Sequence, residues 1–197
     1  MAAEARCWVT AQYSAAAHTI QSHKIWERKL KKIINRPVDI VREMLEGLVG
    51  INAGLSLLDS ENVVIRSGLP VSDEREVAVI SGGGAGHEPA HAGYVGEGML
   101  SAAVTGEIFT SPSADAVLAA SRATAGPAGA LLIVKNYTGD RLYFGLAGEL
   151  EALEGIPTAL VVVADDVAIV GIVPNDRRRA IAGTVFVHKI AGAAAAS

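Results

Sequence analysis

Apolar residues arrive in two rhythms along this chain. Short unbroken runs rich in Val, Ile and Leu alternate with longer stretches where apolar residues recur every three or four positions. The runs predict strands and the longer stretches predict amphipathic helices. Strands are expected in "NVVIRS" (62–67), "VAVIS" (77–81), "LSAAVTGEIF" (100–109), "GALLIVKN" (129–136) and "PTALVVVADD" (157–166). The second, fourth and fifth are continuous enough to be buried on both faces. A helix is expected from Pro37 to Gly50, with Val41, Met44, Leu45 and Leu48 on one face. A second starts after Ser113, which serves as N-cap with Asp115 in the first turn. A third covers "RLYFGLAGELEALEG", with Leu142, Leu146, Leu150 and Leu153 on one stripe. A last one runs from Arg178 to Ala195.

Strands alternating with helices imply right-handed crossovers and an α/β fold. The expectation is a three-layer, doubly wound, mainly parallel sheet with helices on both faces. Ligands in such sheets lie outside the carboxyl ends of the strands. Three strand ends carry chemistry: "GGGAGHE" after Ser81, "KNYTGD" from Lys135 to Asp140, and "ADDVA" from Ala164 to Ala168. They are expected to share one crevice.

Composition narrows the classes. The chain has 197 residues, half of them hydrophobic and 19% charged, enough for a sizeable core. A net charge of −4 argues against a nucleic-acid binder that reads phosphates by bulk charge. The single cysteine, Cys7, forms neither an internal disulfide nor a zinc site, which fits a reducing cytoplasm. No apolar run reaches membrane-spanning length, and the first residues do not read as a secretory signal. Residues 1–29 differ in texture from the rest and are expected to be an atypical extension. Trp26, Leu30, Ile33 and Ile34 allow a short amphipathic helix; a poorly ordered segment is the alternative.

The stretch "ISGGGAGHEPAHAGYVG", Ile80 to Gly96, fits neither common phosphate loop. His87 occupies the place of the third glycine of a dinucleotide fingerprint, and no Gly-Lys-Ser/Thr ending follows. Glycines there let backbone N–H groups approach a ligand oxygen. A purely structural tight turn is the competing account. His87, on the far side of that turn, is placed to contact a small polar ligand. In "KNYTGD", Lys135 and Asp140 are what phosphoryl transfer to an alcohol requires: a cation near the transferring group and a carboxylate for the hydroxyl proton. By spacing alone the plainer account is slightly favoured, in which Asp140 caps the following helix and Lys135 is solvated. His91 and His188 read as structural.

The stretches "SGGGAGHEPAHAGYVGEGML", "GEIFTSPSADAVLAA", "LLIVKNYTGDRLYFGLA" and "AGTVFVHKIAGAAA" resemble the substrate-binding K domain of dihydroxyacetone kinases, from about Lys31 to Ala195. The resemblance implies a substrate-binding unit that holds dihydroxyacetone for phosphorylation to its phosphate. By the same resemblance Gly84, Ala85, Gly86, His87, Lys135 and Asp140 contact the substrate. His87 and Asp140 are the expected catalytic pair, with Asp140 as base, and no metal ligand is expected in this chain. Serine is common where Ala85 stands.

Residues 30–197 then correspond to the N-terminal part of that domain. The second half, with its Gly-Ile-His-Gly-Glu-Pro-Gly stretch and the histidine that binds the substrate carbonyl, is absent from this sequence. The expected phosphodonor is ATP-Mg or a phosphotransferase-linked donor, supplied by a separate nucleotide-binding L domain rather than held here. Expected partners are dihydroxyacetone, that L domain and a second copy in a homodimer, with no nucleic acid and no membrane. The chain alone is expected to be inactive. The alternative is a non-catalytic binding or regulatory module.

Overall fold

Alternation along the strands sets up the architecture before any helix is placed. In β3 (Ala78–Ala85), Ala78 and Ile80 face one side while Val79 faces the other. β4 (Ala102–Ile108) and β5 (Ala130–Lys135) repeat this, with Ala102, Val104, Leu132 and Val134 on the first side and Ala103 and Ile133 on the second. A sheet apolar on both faces needs cover on both. Helices α2 (Ala114–Thr124) and α3 (Thr138–Leu153) cover the first face, and α1 (Ile40–Gly50) and α4 (Thr184–Ala195) the second. The computed structural model describes residues 32–197. The expected extension, and most of the helix expected near Trp26, lie outside the described residues.

With β1 (Leu55–Leu57), β2 (Val63–Arg66) and β6 (Thr158–Val163), the sheet has six strands in the order β1-β2-β4-β3-β5-β6. β4, β3, β5 and β6 are mutually parallel, and β1 and β2 pair antiparallel at one edge. The three-layer, mainly parallel α/β fold is therefore present. From β3 the chain steps to β4 through Ala92 and Leu100 on one face, then returns past β3 to β5 through α2 on the other. Opposite steps on opposite faces keep one crossover hand. β3 is thus flanked by strands reached in opposite directions, which is where such sheets open a crevice.

Several expectations are corrected. The glycine run is strand, not loop: β3 continues through Gly82, Gly83 and Gly84 to Ala85. A Cβ on Gly82 would lie under 3.0 Å from the Val104 carbonyl, and one on Gly84 would crowd the Phe109–Thr110 backbone. These glycines let β4 and the segment after it press against β3. β1 was not foreseen; three residues are too few for a periodicity. The last helix starts at Thr184 rather than Arg178, since the Asp165 carboxylate instead holds the N–H groups of Ile181 and Gly183.

The leucine stripe of α3 is also misplaced. Leu142, Leu146 and Leu153 are exposed, and the buried face carries Asp140, Phe144, Ala147 and Glu151. Both stripes have helical spacing, so periodicity alone does not choose between them. Glu151 tolerates burial because the hydroxyls of Ser121 and Thr158 donate to its two oxygens at 2.5 and 2.6 Å. β6 is an edge strand, and Leu160, Val161 and Val162 are each about two-fifths exposed (39–43%), so it is not buried on both faces. By contrast Ser113 does cap α2, accepting from the N–H of Ala116 at 3.1 Å.

If Gly82 serves close packing, Gly82→Ala should lower stability by about 1–3 kcal/mol through overpacking. Urea unfolding of the purified chain measures this, and an unchanged midpoint would contradict the packing account.

Candidate active site

Three strand ends meet at the crevice beside β3, but not the three expected. β3 contributes Gly84 and His87, β4 contributes Phe109 and Ser111, and β5 contributes Lys135, Tyr137 and Asp140. Together they line a cavity of about 310 Å³, the right scale for a small ligand. The expected contribution from Ala164 to Ala168 after β6 is not among its lining residues. Asp165 there is committed to the backbone of the segment leading into α4.

Each side chain is placed by a local cause. Lys135 ends β5 in register with Val163 of β6. The next residue, Asn136, is buried and its amide donates to the carbonyls of Asp176 and Arg178 at 2.9 and 2.5 Å, so the chain is pinned where it turns. Tyr137 packs beneath Lys135, whose Nζ lies 5.6 Å from the ring centre. α3 then begins at Thr138, three residues earlier than expected. Asp140 is therefore inside the first turn and does not cap the helix. Gly139 gives Ser111 room: a Cβ there would sit 2.6 Å from the Ser111 hydroxyl oxygen.

Asp140 is the electrostatic centre. It is buried, and the Ser111 hydroxyl donates to its Oδ1 at 2.5 Å. Burial pushes its carboxyl above the usual range, and the Ser111 hydrogen bond, Lys135 and His87 act in the opposite direction. A carboxylate that is expensive to ionise yet close to the Lys135 cation is suited to taking a proton during a reaction. Sequence reading missed Ser111. Its signal, a serine just beyond a strand end, is common in any loop, and only the fold brings it to Asp140.

The remaining expected residues are placed as follows. Gly84 lines the cavity. Ala85 points into the core, and its carbonyl accepts from the N–H of Phe109 at 2.8 Å. Gly86 has a positive φ of 108° and its N–H donates to the Glu88 carboxylate at 3.0 Å. His87 is exposed at the cavity wall. Phe109, which lines the cavity, is the one non-glycine residue with positive φ (54°) among the described residues, an uncommon conformation for a bulky side chain. His91 and His188, read from the sequence as structural, are both buried.

A family model described as the Dak1 domain matches residues 46–197. The chain belongs to the Dak1 domain family. Triokinase/FMN cyclase of Bos taurus is 51% identical over 167 residues, covering 84% of this chain and 28% of its own length. The dihydroxyacetone-binding subunit of the PTS-dependent dihydroxyacetone kinase of Lactococcus lactis is 48% identical, covering 84% of this chain and 49% of its own length. The crystal structure of the dihydroxyacetone kinase from C. freundii with AMP-PNP and Mg2+ superposes with a TM-score of 0.77 at 45% identity. That match covers 84% of this chain and 31% of the kinase. The chain spans half or less of the length of these relatives. No helix among the described residues is long and apolar enough to cross a membrane.

The raised Asp140 pKa has a thermodynamic sign. Just above the ordinary carboxylate range the folded Dak1 domain still holds the proton that the unfolded chain has released. Stability therefore falls as pH rises through that window. Asp140→Asn keeps an acceptor for Ser111 without a buried charge. It is expected to unfold at higher urea than the wild type at neutral pH, with the difference fading in acid. Equal midpoints at neutral pH would contradict this.

Proposed function

We propose that this chain binds dihydroxyacetone and presents a hydroxyl for phosphorylation, as the substrate-binding part of a dihydroxyacetone kinase. One observation carries the reading: the buried Asp140 carboxylate, held by Ser111, meets Lys135 and His87 in one small cavity. The names of the relatives supply the substrate class. Residues 30–197 would be the N-terminal part of that binding unit.

Asp140 accepts the proton of the attacking hydroxyl as its oxygen bonds to the transferred phosphorus. The bond from phosphorus to the donor breaks, and the donor's leaving group departs with that electron pair. Lys135 offsets negative charge on the moving phosphoryl group, and His87 and Ser111 orient the triose. The phosphodonor, ATP-Mg or a phosphotransferase-linked donor, comes from a separate nucleotide-binding L domain or subunit. This chain binds no cofactor itself.

The test is reconstitution. Calorimetry of the chain with dihydroxyacetone should show binding, and adding a purified L subunit with its donor should be required for turnover. Asp140→Asn should then lower kcat by about 100-fold or more with the fold intact. Turnover by the chain alone with ATP and magnesium, or full activity in Asp140→Asn, would overturn the reading. Binding without turnover under every donor would instead indicate a non-catalytic module.

A further inference from the structure

Three histidines form a column that runs inward from the cavity wall. His87 lines the cavity, His91 lies edge-on beneath it with ring centres 5.9 Å apart, and His188 of α4 lies beneath His91 at 5.2 Å. His91 and His188 are 4% and 0% exposed. Buried imidazole nitrogens ordinarily find partners, yet His91 Nε2 and both nitrogens of His188 have none in the protein.

The protonation of His91 follows from its neighbour. Ser81 has one hydroxyl hydrogen and donates it to the carbonyl of Ile133 at 2.7 Å. Its oxygen is 3.4 Å from His91 Nδ1 and is left to act there as acceptor. His91 therefore carries its proton on Nδ1, and its Nε2 is a buried lone pair. That lone pair does not simply face the core. A Cβ built on Gly83 would lie 3.6 Å from His91 Nε2 and 3.7 Å from His87 Nε2. Both nitrogens thus converge on one atom-sized space above Gly83.

We propose that one water above Gly83 joins His87 to His91, donating to His91 Nε2 and accepting from the Nε2–H of His87, so that His91 is the positioning residue for His87. A proton on His87 Nε2 leaves Nδ1 as the basic nitrogen available to the cavity. Such a water has the polar partners a buried site needs. The groups facing His91 are Ser81 from β3, His188 from α4, Lys135 from β5 and His87, with Tyr94 packed on His188 rather than on His91. Burial first, then His188, Lys135 and His87, hold His91 neutral well below the usual histidine range, and burial then Lys135 hold His188 to about 4. His91 accordingly keeps its lone pair through physiological pH.

The inference rests on the proposed role of His87, but its test needs neither kinase activity nor substrate. Nitrogen-15 NMR of histidine-labelled chain, from about pH 5 to pH 8, reports which ring nitrogen carries each proton. His91 should be a non-titrating Nδ1–H form and neutral His87 should favour Nε2–H. Gly83→Ala sets a methyl between the two nitrogens at ordinary contact distance. It should shift the His87 tautomer ratio by about fivefold, the equivalent of one hydrogen bond. His91→Phe, which keeps an aromatic ring but removes both nitrogens, should do the same, and His91→Gln should restore part of the preference. An Nε2–H form of His91, or a His87 ratio unchanged in Gly83→Ala, would falsify the bridge. Calorimetry with dihydroxyacetone on the same samples shows separately whether the substrate reading fails.

Discussion

Everything around the cavity depends on how closely the backbone after β4 approaches β3 and α3. Gly82 admits the Val104 carbonyl, Gly84 the Phe109–Thr110 backbone, Gly106 the backbone from Thr110 to Pro112, and Gly139 the Ser111 hydroxyl. A Cβ at any of these four would lie under 3.0 Å from a neighbouring atom. Three of the obstacles are backbone, which cannot rotate away as a side chain end can. Without this approach Ser111 would not reach Asp140, and the strand ends would not form one concave surface. These glycines shape the site from behind by letting its backbone segments close up. The Gly86 N–H is engaged by Glu88.

That close approach has an electrostatic cost at Asp140. A carboxylate at the first turn of a helix is favourably placed for the helix dipole, but Asp140 is also buried. Burial outweighs the help from Ser111, Lys135 and His87, so its proton affinity stays raised. A residue that gains by accepting a proton is destabilising while ionised. Active sites commonly sacrifice stability in this way.

Much of the fold was readable in the sequence because strand and helix periods are local properties. The apolar runs 129–136 and 157–166 became strands and Ser113 became a cap, as expected. What failed was non-local. Whether Leu142 or Phe144 faces the sheet depends on what α3 meets. Whether β6 is central or at the edge depends on what lies beyond it in the sheet. The site was half legible. His87, Lys135 and Asp140 stand at strand ends, and topology brings such ends together. Ser111 and Phe109 follow β4, whose position beside β3 is a consequence of crossover order rather than of any motif.

Two buried carboxylates on one helix differ in how far their hydrogen-bonding capacity is used. Glu151 and Asp140 lie on the same face of α3 and each accepts from a serine hydroxyl at 2.5 Å. Glu151 accepts a second hydroxyl, from Thr158, on its other oxygen, and so ties α2 and β6 to α3. Asp140 has that one side-chain donor and lines a cavity shared with Lys135 and His87. A carboxylate with a donor on each oxygen fixes its neighbours in place. One left partly satisfied at a cavity wall retains an oxygen able to receive a proton from whatever enters. Burial alone therefore does not separate the two; the open hydrogen-bonding capacity of Asp140 at the cavity wall does.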